Sequence, residues 1–308
     1  NTITLGGDSQ TATLGGSNST ITLSGYADSV TINGAGNEVI HLTGTNDSLS
    51  ETGFGGNSIT LSGDSETATI GGSNSVITLS GYADSVTING AGNEVINLTG
   101  TNETLTEAGY GSNTITLSGD TDTATIGGSN SSITLSGYND SATITGSNET
   151  IILSGTNASV TLSGQNDTVI AASGTIVNIA AGNAVVINGS GVVVTGGASA
   201  RATINHTDGT SAVEVFNQSA TILSNTKNYT GTNGTGTLTS QVIDYTDGTS
   251  RQNLFTGLAA GVTEESLFYS GADMSGVLAK EMWNYTAGNS TVEWFNPSST
   301  IASNTKYY

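Results

Sequence analysis

Residues 25–43 read GYADSVTINGAGNEVIHLT, and residues 81–99 repeat them as GYADSVTINGAGNEVINLT, with Asn97 in place of His41. Repetition of this fidelity signals stacked structural units, and the 56-residue period divides further. Gly25, Gly44, Gly63, Gly81, Gly100, Gly119, Gly137 and Gly155 open lines of 18 or 19 residues. Each line holds two short alternating runs. Val30 and Ile32, or Val86 and Ile88, mark the first; Ile40 and Leu42, or Ile96 and Leu98, mark the second. Period-two alternation of β-branched residues between Gly, Asn and Asp turns is a strand pattern and not a helical one. Two strands and two turns per line predict a two-sided parallel β-solenoid that climbs about 4.8 Å per coil, so that identical residues stack on one another. A three-sided coil of 28 residues also divides the repeat, but its columns align less well.

Composition divides the chain in two. Residues 1–200 carry sixteen acidic residues and no Lys or Arg, a formal charge of −16; the remainder carries nine acids against five bases, a charge of −4. Such a surface excludes nucleic acid and anionic membranes as partners and favours divalent cations. The 43 glycines, the single proline and the absence of cysteine point to a repetitive, disulfide-free extracellular protein of bacterial type. No apolar run is long enough to span a membrane. The chain reads as a processed form or a fragment, since it opens in mid-coil at Asn1–Leu5.

We place the solenoid at residues 1–195 and an antiparallel β-hairpin repeat of about 40 residues at 196–308, an all-β chain throughout. Outward apolar residues at Ile170, Val177 and 192–194 mark the junction. The hairpin repeat rests on INHTDGTS at 204–211, IDYTDGTS at 243–250 and WNYTAGNS at 283–290, where Asp-Gly signals a tight turn.

Stacking turns sequence columns into ladders. Asn18, Asn37, Asn57, Asn74, Asn93, Asn113, Asn130, Asn148 and Asn166 form a structural column at the corner before the second strand, because Asn tolerates left-handed turns. Asp28, Asp47, Glu66, Asp84, Glu103, Asp122 and Asp140 form an acidic column at the other corner, read as calcium ligands or as a solvated edge. Carboxylates about 4.8 Å apart repel by roughly 1 kcal/mol even in water, so a compensating group is expected. Glu51 and Glu107 fall where Ile or Leu should point inward, which predicts a bulge filled by Phe54 and Tyr110.

Gly34-Ala35-Gly36-Asn37-Glu38-Val39-Ile40, Gly44-Thr45-Asn46-Asp47-Ser48-Leu49 and Gly164-Gln165-Asn166-Asp167-Thr168-Val169 resemble degenerate calcium-binding nonapeptides of RTX proteins. The resemblance covers about residues 1–190 and implies calcium held between coils of a parallel β-roll in a secreted toxin, enzyme or adhesin. The double glycine is mostly missing, Glu often replaces Asp, and the second corner mostly carries Ser or Thr at the aspartate position.

The outer face of the first strand carries Thr13, Thr31, Thr69, Thr87, Thr106, Thr125, Thr143 and Thr161 in T-x-T or S-x-T runs, similar to the ice-binding faces of several antifreeze families. Catalysis is not expected: His41 and His206 occupy unrelated positions, and a ladder of equivalent carboxylates singles out no acid and base pair. The expectation is a non-enzymatic, extracellular or cell-surface stalk, fibre or adhesin component strengthened by calcium, with an ice-binding face as the alternative. Its partners would be copies of itself, other matrix or surface components, and carbohydrate at the C-terminal aromatics Trp283 and Trp294.

Overall fold

A computed structural model describes residues 1–53, 55–219, 221–296 and 301–307, with only the backbone of Gln218. The chain is all-β: a parallel β-solenoid of about eleven coils and a C-terminal antiparallel region. It forms two compact units, residues 1–178 with 191–193, and residues 179–190 with 194–308.

In the first unit, strands of four residues alternate between two parallel sheets. One runs from Thr2–Leu5 through Thr20–Leu23 and Val39–Leu42 to Thr168–Ala171; the other from Thr11–Leu14 through Ser29–Ile32 and Ser48–Glu51 to Ser159–Leu162. Each strand pairs with its counterpart one coil away without a register shift: Val30 lies between Ala12 and Leu49, and Ile96 between Ile77 and Ile115. A one-residue slip would send every inward side chain to solvent, so burial pins the register. The core is a stack of Ile, Leu, Val and Ala, with Ile21, Leu23, Val30, Ile32, Ile40 and Leu42 fully buried. Each buried Leu or Ile contributes about 1.5–3 kcal/mol.

Three expectations change here. Ser48–Glu51 and Thr104–Glu107 contain no bulge: Glu51 sits in register between Ile32 and Ile70, and Glu107 between Ile88 and Ile126. Tyr110 is 86% exposed and fills nothing, while Phe54 lies outside the described residues. Val177 points inward and is fully buried, while Ile170 and Val193 are exposed as expected.

The second unit begins with Ala184–Asn188 paired parallel to Arg201–Asn205 and continues as an antiparallel meander. Its strands include Ser211–Ser219, Ile222–Tyr229, Leu238–Tyr245, Ser250–Leu254, Val262–Tyr269, Leu278–Tyr285, Ser290–Phe295 and Ile301–Tyr307, each bonded to the next. The Asp-Gly turns form as the sequence predicts: Thr210 N donates to Asp208 Oδ1 at 2.9 Å, and Gly209 takes φ +87°. Most of its strand residues are half-buried.

Candidate functional site: a buried carboxyl ladder

The residue before each strand extends the in-out alternation by one step, so it points into the coil. At the first corner this places Asp28, Asp47, Glu66, Asp84, Glu103, Asp122 and Asp140 inside, each at most 1% exposed. The reading of a solvated edge is therefore wrong. The acidic column faces the interior, and Ala158 ends it.

The second corner repeats the device, and the sequence reading missed it. Ser19, Glu38, Asn57, Ser75, Glu94, Asn113, Ser131, Glu149 and Asp167 occupy the inward position there, all buried. Asn57 and Asn113 thus leave the predicted asparagine column. Asn18, Asn37, Asn74, Asn93, Asn130, Asn148 and Asn166 keep it, with φ between +58° and +65°. Their amides bond along the column at Asn93 to Asn74 and at Asn166 to Asn148, both 3.4 Å. Ser9, Ala27, Asn46, Ser65, Ala83, Asn102, Thr121, Asn139 and Asn157 make an equivalent left-handed column at the first corner.

Both ladders share a hydrogen-bond pattern: the inward Asp and Asn side chains, with Ser75, Ser131 and Glu149, accept the backbone N–H of the counterpart one coil earlier. Asp28 N donates to Asp47 Oδ1 at 2.9 Å, Glu66 N to Asp84 Oδ1 at 2.9 Å, Glu103 N to Asp122 Oδ1 at 2.9 Å and Asp122 N to Asp140 Oδ1 at 3.1 Å. At the second corner Glu38 N reaches Asn57 Oδ1, Asn57 N reaches Ser75 Oγ and Glu149 N reaches Asp167 Oδ1. These N–H groups are buried at corners where the sheets cannot take them, and an orphan would cost about 1–3 kcal/mol. Glu51 and Glu107 serve the same end one step further on, accepting from Gly72 N and Gly128 N at 2.8 Å.

The second carboxyl oxygen is the anomaly. Asp28, Asp47, Asp84, Asp122 and Asp167 each leave one oxygen buried without a partner, and Glu38, Glu94 and Glu103 leave both. No Lys or Arg lies in residues 1–200 to compensate. Burial raises the affinity for protons, and neighbouring acids add to it. Glu66 rises to about 8 beside Asp84 and Asp47, and Glu103 to about 8 beside Asp84, Asp122 and Glu66. Asp84 and Asp122 rise to about 6, and Glu149 to about 7. Burial likewise pushes Asp47, Glu51, Glu94, Glu107, Asp140 and Asp167 upward.

At the first corner each inward Asp reaches back one coil to the preceding N–H, whereas Glu66 folds onto its own coil at Gly63 N, 3.1 Å, and Glu103 finds no partner; at the second corner Glu149 does reach back, accepting Ser131 N at 2.6 Å. Glu103→Asp is therefore expected to capture the Asp84 N–H and stabilise the solenoid by about 1 kcal/mol at neutral pH. Urea denaturation at pH 7.5 checks this; an unchanged or lower midpoint contradicts it.

The remaining predicted residues lie outside the interior. Thr13, Thr69, Thr106, Thr125, Thr143 and Thr161 are exposed, and Thr31 and Thr87 half-buried, on the outer face of one sheet. His41 is half-buried on the outer face of the other, between Thr22 and Thr60. Tyr26, Thr45, Asp64, Tyr82, Thr101, Asp120, Tyr138 and Thr156 are bridged into one further column, with the three tyrosines about half exposed. The 56-residue repeat carries that signal, since Tyr26, Tyr82 and Tyr138 lie 56 residues apart.

Among the described residues, no three acidic or histidine side chains converge as a metal-binding group. The donors that a hard cation would find are single carboxyl oxygens and turn carbonyls. Asp47 Oδ2 and the Gly25 carbonyl oxygen, for example, border the space where a Cβ on Gly44 would sit. These are oxygen ligands of the type calcium takes. No family model matches the chain, and no curated protein matches it in sequence.

Proposed function

We propose that this chain is a non-enzymatic extracellular or cell-surface structural protein of bacterial type, a rigid stalk or self-assembling fibre or adhesin component. One observation carries the reading: parallel pairing keeps its register from Thr2–Leu5 to Thr168–Ala171, so each coil is a template for the next. A rod built this way serves as a spacer whose length scales with coil number, and coils of this kind are templates on which further copies can stack. The degenerate RTX-like turns and the unpartnered interior oxygens favour calcium or protons as the compensating charge.

Deleting residues 44–99 removes one complete repeat and should leave a folded rod shorter by about 14 Å, three coils of about 4.8 Å each. Negative-stain microscopy and light scattering of both chains test this. A shortened monomer fits a stalk, regular filaments fit self-assembly, and loss of the fold rejects the modular rod. In a melt at pH 7.5, calcium should raise the transition over chelator; an identical curve removes calcium and leaves protons as the compensating charge.

A second reading is favoured by the outer face, where Ser or Thr fills both outward columns of every strand from Thr11–Leu14 to Ser159–Leu162. Such a flat hydroxyl array is suited to ordered water. Thermal hysteresis that vanishes when Thr69, Thr87 and Thr125 become bulky residues identifies an ice-binding face; its absence from the parent chain eliminates one.

A further inference from the structure

The antiparallel unit contains a groove of about 530 Å³ lined by Trp283, Tyr285, Asn289, Thr291, Glu293 and Lys306, with Ala259, Ala260 and Val262 at its margin. Strand register builds it. Trp283 pairs with Thr291 and Thr291 with Lys306, while Glu281 pairs with Glu293, so these residues share one face of three neighbouring strands. Tyr285 pairs with Val262 and follows Trp283 by two positions, which puts both rings on that face.

The opposite face explains the other tryptophan. Lys280 pairs with Trp294, and its ammonium lies 5.3 Å from the Trp294 ring and 4.0 Å from that of Phe268. Trp294 is thus engaged by a packed cation, and only Trp283 lines the groove. The two tryptophans do not form one platform.

Packing alone does not account for Trp283. The two preceding copies of the hairpin use Ile204 and Ile243 at this position, and Thr210 and Thr249 where the third copy has Asn289. The indole N–H is held by Glu265 Oε1 at 3.1 Å, which fixes the ring in orientation. Asn289 Oδ1 is buried and has no hydrogen-bond partner. The groove thus combines two aromatic rings with an unsatisfied amide acceptor, a hydroxyl, a carboxylate and an ammonium. A small ligand that is apolar on its ring faces and hydroxylated at its rim matches that set.

We infer that this groove binds a neutral pyranose unit of a polysaccharide or glycan, stacked on Trp283 and Tyr285 and hydrogen-bonded by Asn289, Thr291, Glu293 and Lys306. Glu265, Glu281 and Glu293 crowd the same face and disfavour uronates and other anionic sugars. The groove lies wholly in the antiparallel unit, so this binding holds or fails independently of what the solenoid does.

The test uses the full chain with Trp294→Phe, which leaves Trp283 as the only tryptophan. Cellobiose, N,N′-diacetylchitobiose, glucuronate and tetramethylammonium are titrated against its fluorescence. The expected result is a saturable change with one of the two neutral disaccharides, weakened at least about tenfold by Thr291→Lys or Glu293→Gln. A response to neither disaccharide, or to tetramethylammonium or glucuronate instead, overturns the inference. So does sugar binding that survives Thr291→Lys at full affinity, since the sugar is then held elsewhere. Circular dichroism of the Thr291→Lys chain confirms that the sheet remains folded.

Discussion

The solenoid is expected to melt at least about 10 °C higher at pH 4.5 than at pH 8, followed by far-UV circular dichroism in the presence of chelator. The sign follows from where the protons sit. Glu66 and Glu103 hold theirs up to about pH 8 in the fold, Glu149 to about 7, and Asp84 and Asp122 to about 6. In the unfolded chain the same groups titrate near 4. Between those limits the folded state binds more protons, so stability falls as pH rises through the window. The contribution of these groups is complete below the unfolded values and lost above the folded ones. Each tenfold gain in proton affinity on folding is worth about 1.4 kcal/mol, and a domain of this size gains about 2–4 °C per kcal/mol, so a combined gain of about a hundred- to several-thousand-fold across these mutually coupled groups gives the stated change.

That sign depends on what faces each carboxyl. Around Glu66 and Glu103 these are Asp47, Asp84, Asp122 and each other; around Asp84 and Asp122 they include Asp64, Asp120 and Asp140; around Glu149 they are Asp167 and Glu107. Every charged neighbour is acidic and favours protonation; only the backbone N–H groups that donate to the carboxyls oppose it, and burial outweighs them. A Tm that stays flat or rises from pH 4.5 to pH 8 would show that these carboxyls are not desolvated in the folded protein. A chain with Glu66→Gln and Glu103→Gln should lose much of the slope, because the two steepest contributors are gone.

The period, the two strands per coil and the Asp-Gly hairpins were legible in the sequence because they rest on local rules: alternation for the strands and the left-handed glycine for the turns. The direction of the corner acids was not. Asp28 precedes Ser29, and a residue at a turn is ordinarily read as facing water. Continuing the alternation backward from Ile32 and Val30 puts Asp28 inside, and the same step applied to Ile40 puts Glu38 inside. The signal was thus present one position outside each strand. Glu51 and Glu107 misled for the opposite reason, since an acid at an aliphatic position suggests a bulge. Their carboxylates instead take N–H groups from the Gly-Gly corner of the next coil. The sequence offered Trp283 and Trp294 together as a place for carbohydrate but not which of them lines the groove; the pairing of Trp283 with Thr291 puts Trp283 there.

Gly81→Ala is expected to cost about 3 kcal/mol or more, lowering Tm by about 6–12 °C, while Gly15→Ala is neutral or stabilising by up to about 1 kcal/mol. Both glycines lie in solenoid turns, and neither takes the left-handed region, so conformation alone does not separate them. Space does. A Cβ on Gly81 would fall inside the van der Waals envelope of the Gly63 carbonyl oxygen in the preceding coil and about 2.8 Å from the buried Asp84 Oδ2. Both obstacles are stacked against a neighbouring coil, so relief requires moving backbone or displacing the carboxylate that accepts the Glu66 N–H. A Cβ on Gly15 meets nothing within 4 Å. The contrast explains why glycine recurs every 18 or 19 residues at the first corner: it clears the approach of one coil to the next and leaves room for the inward carboxyl. Equal melting temperatures for the two variants would show that the coils are not stacked this closely, and the hydrogen-bonded carboxyl ladder would fall with that result.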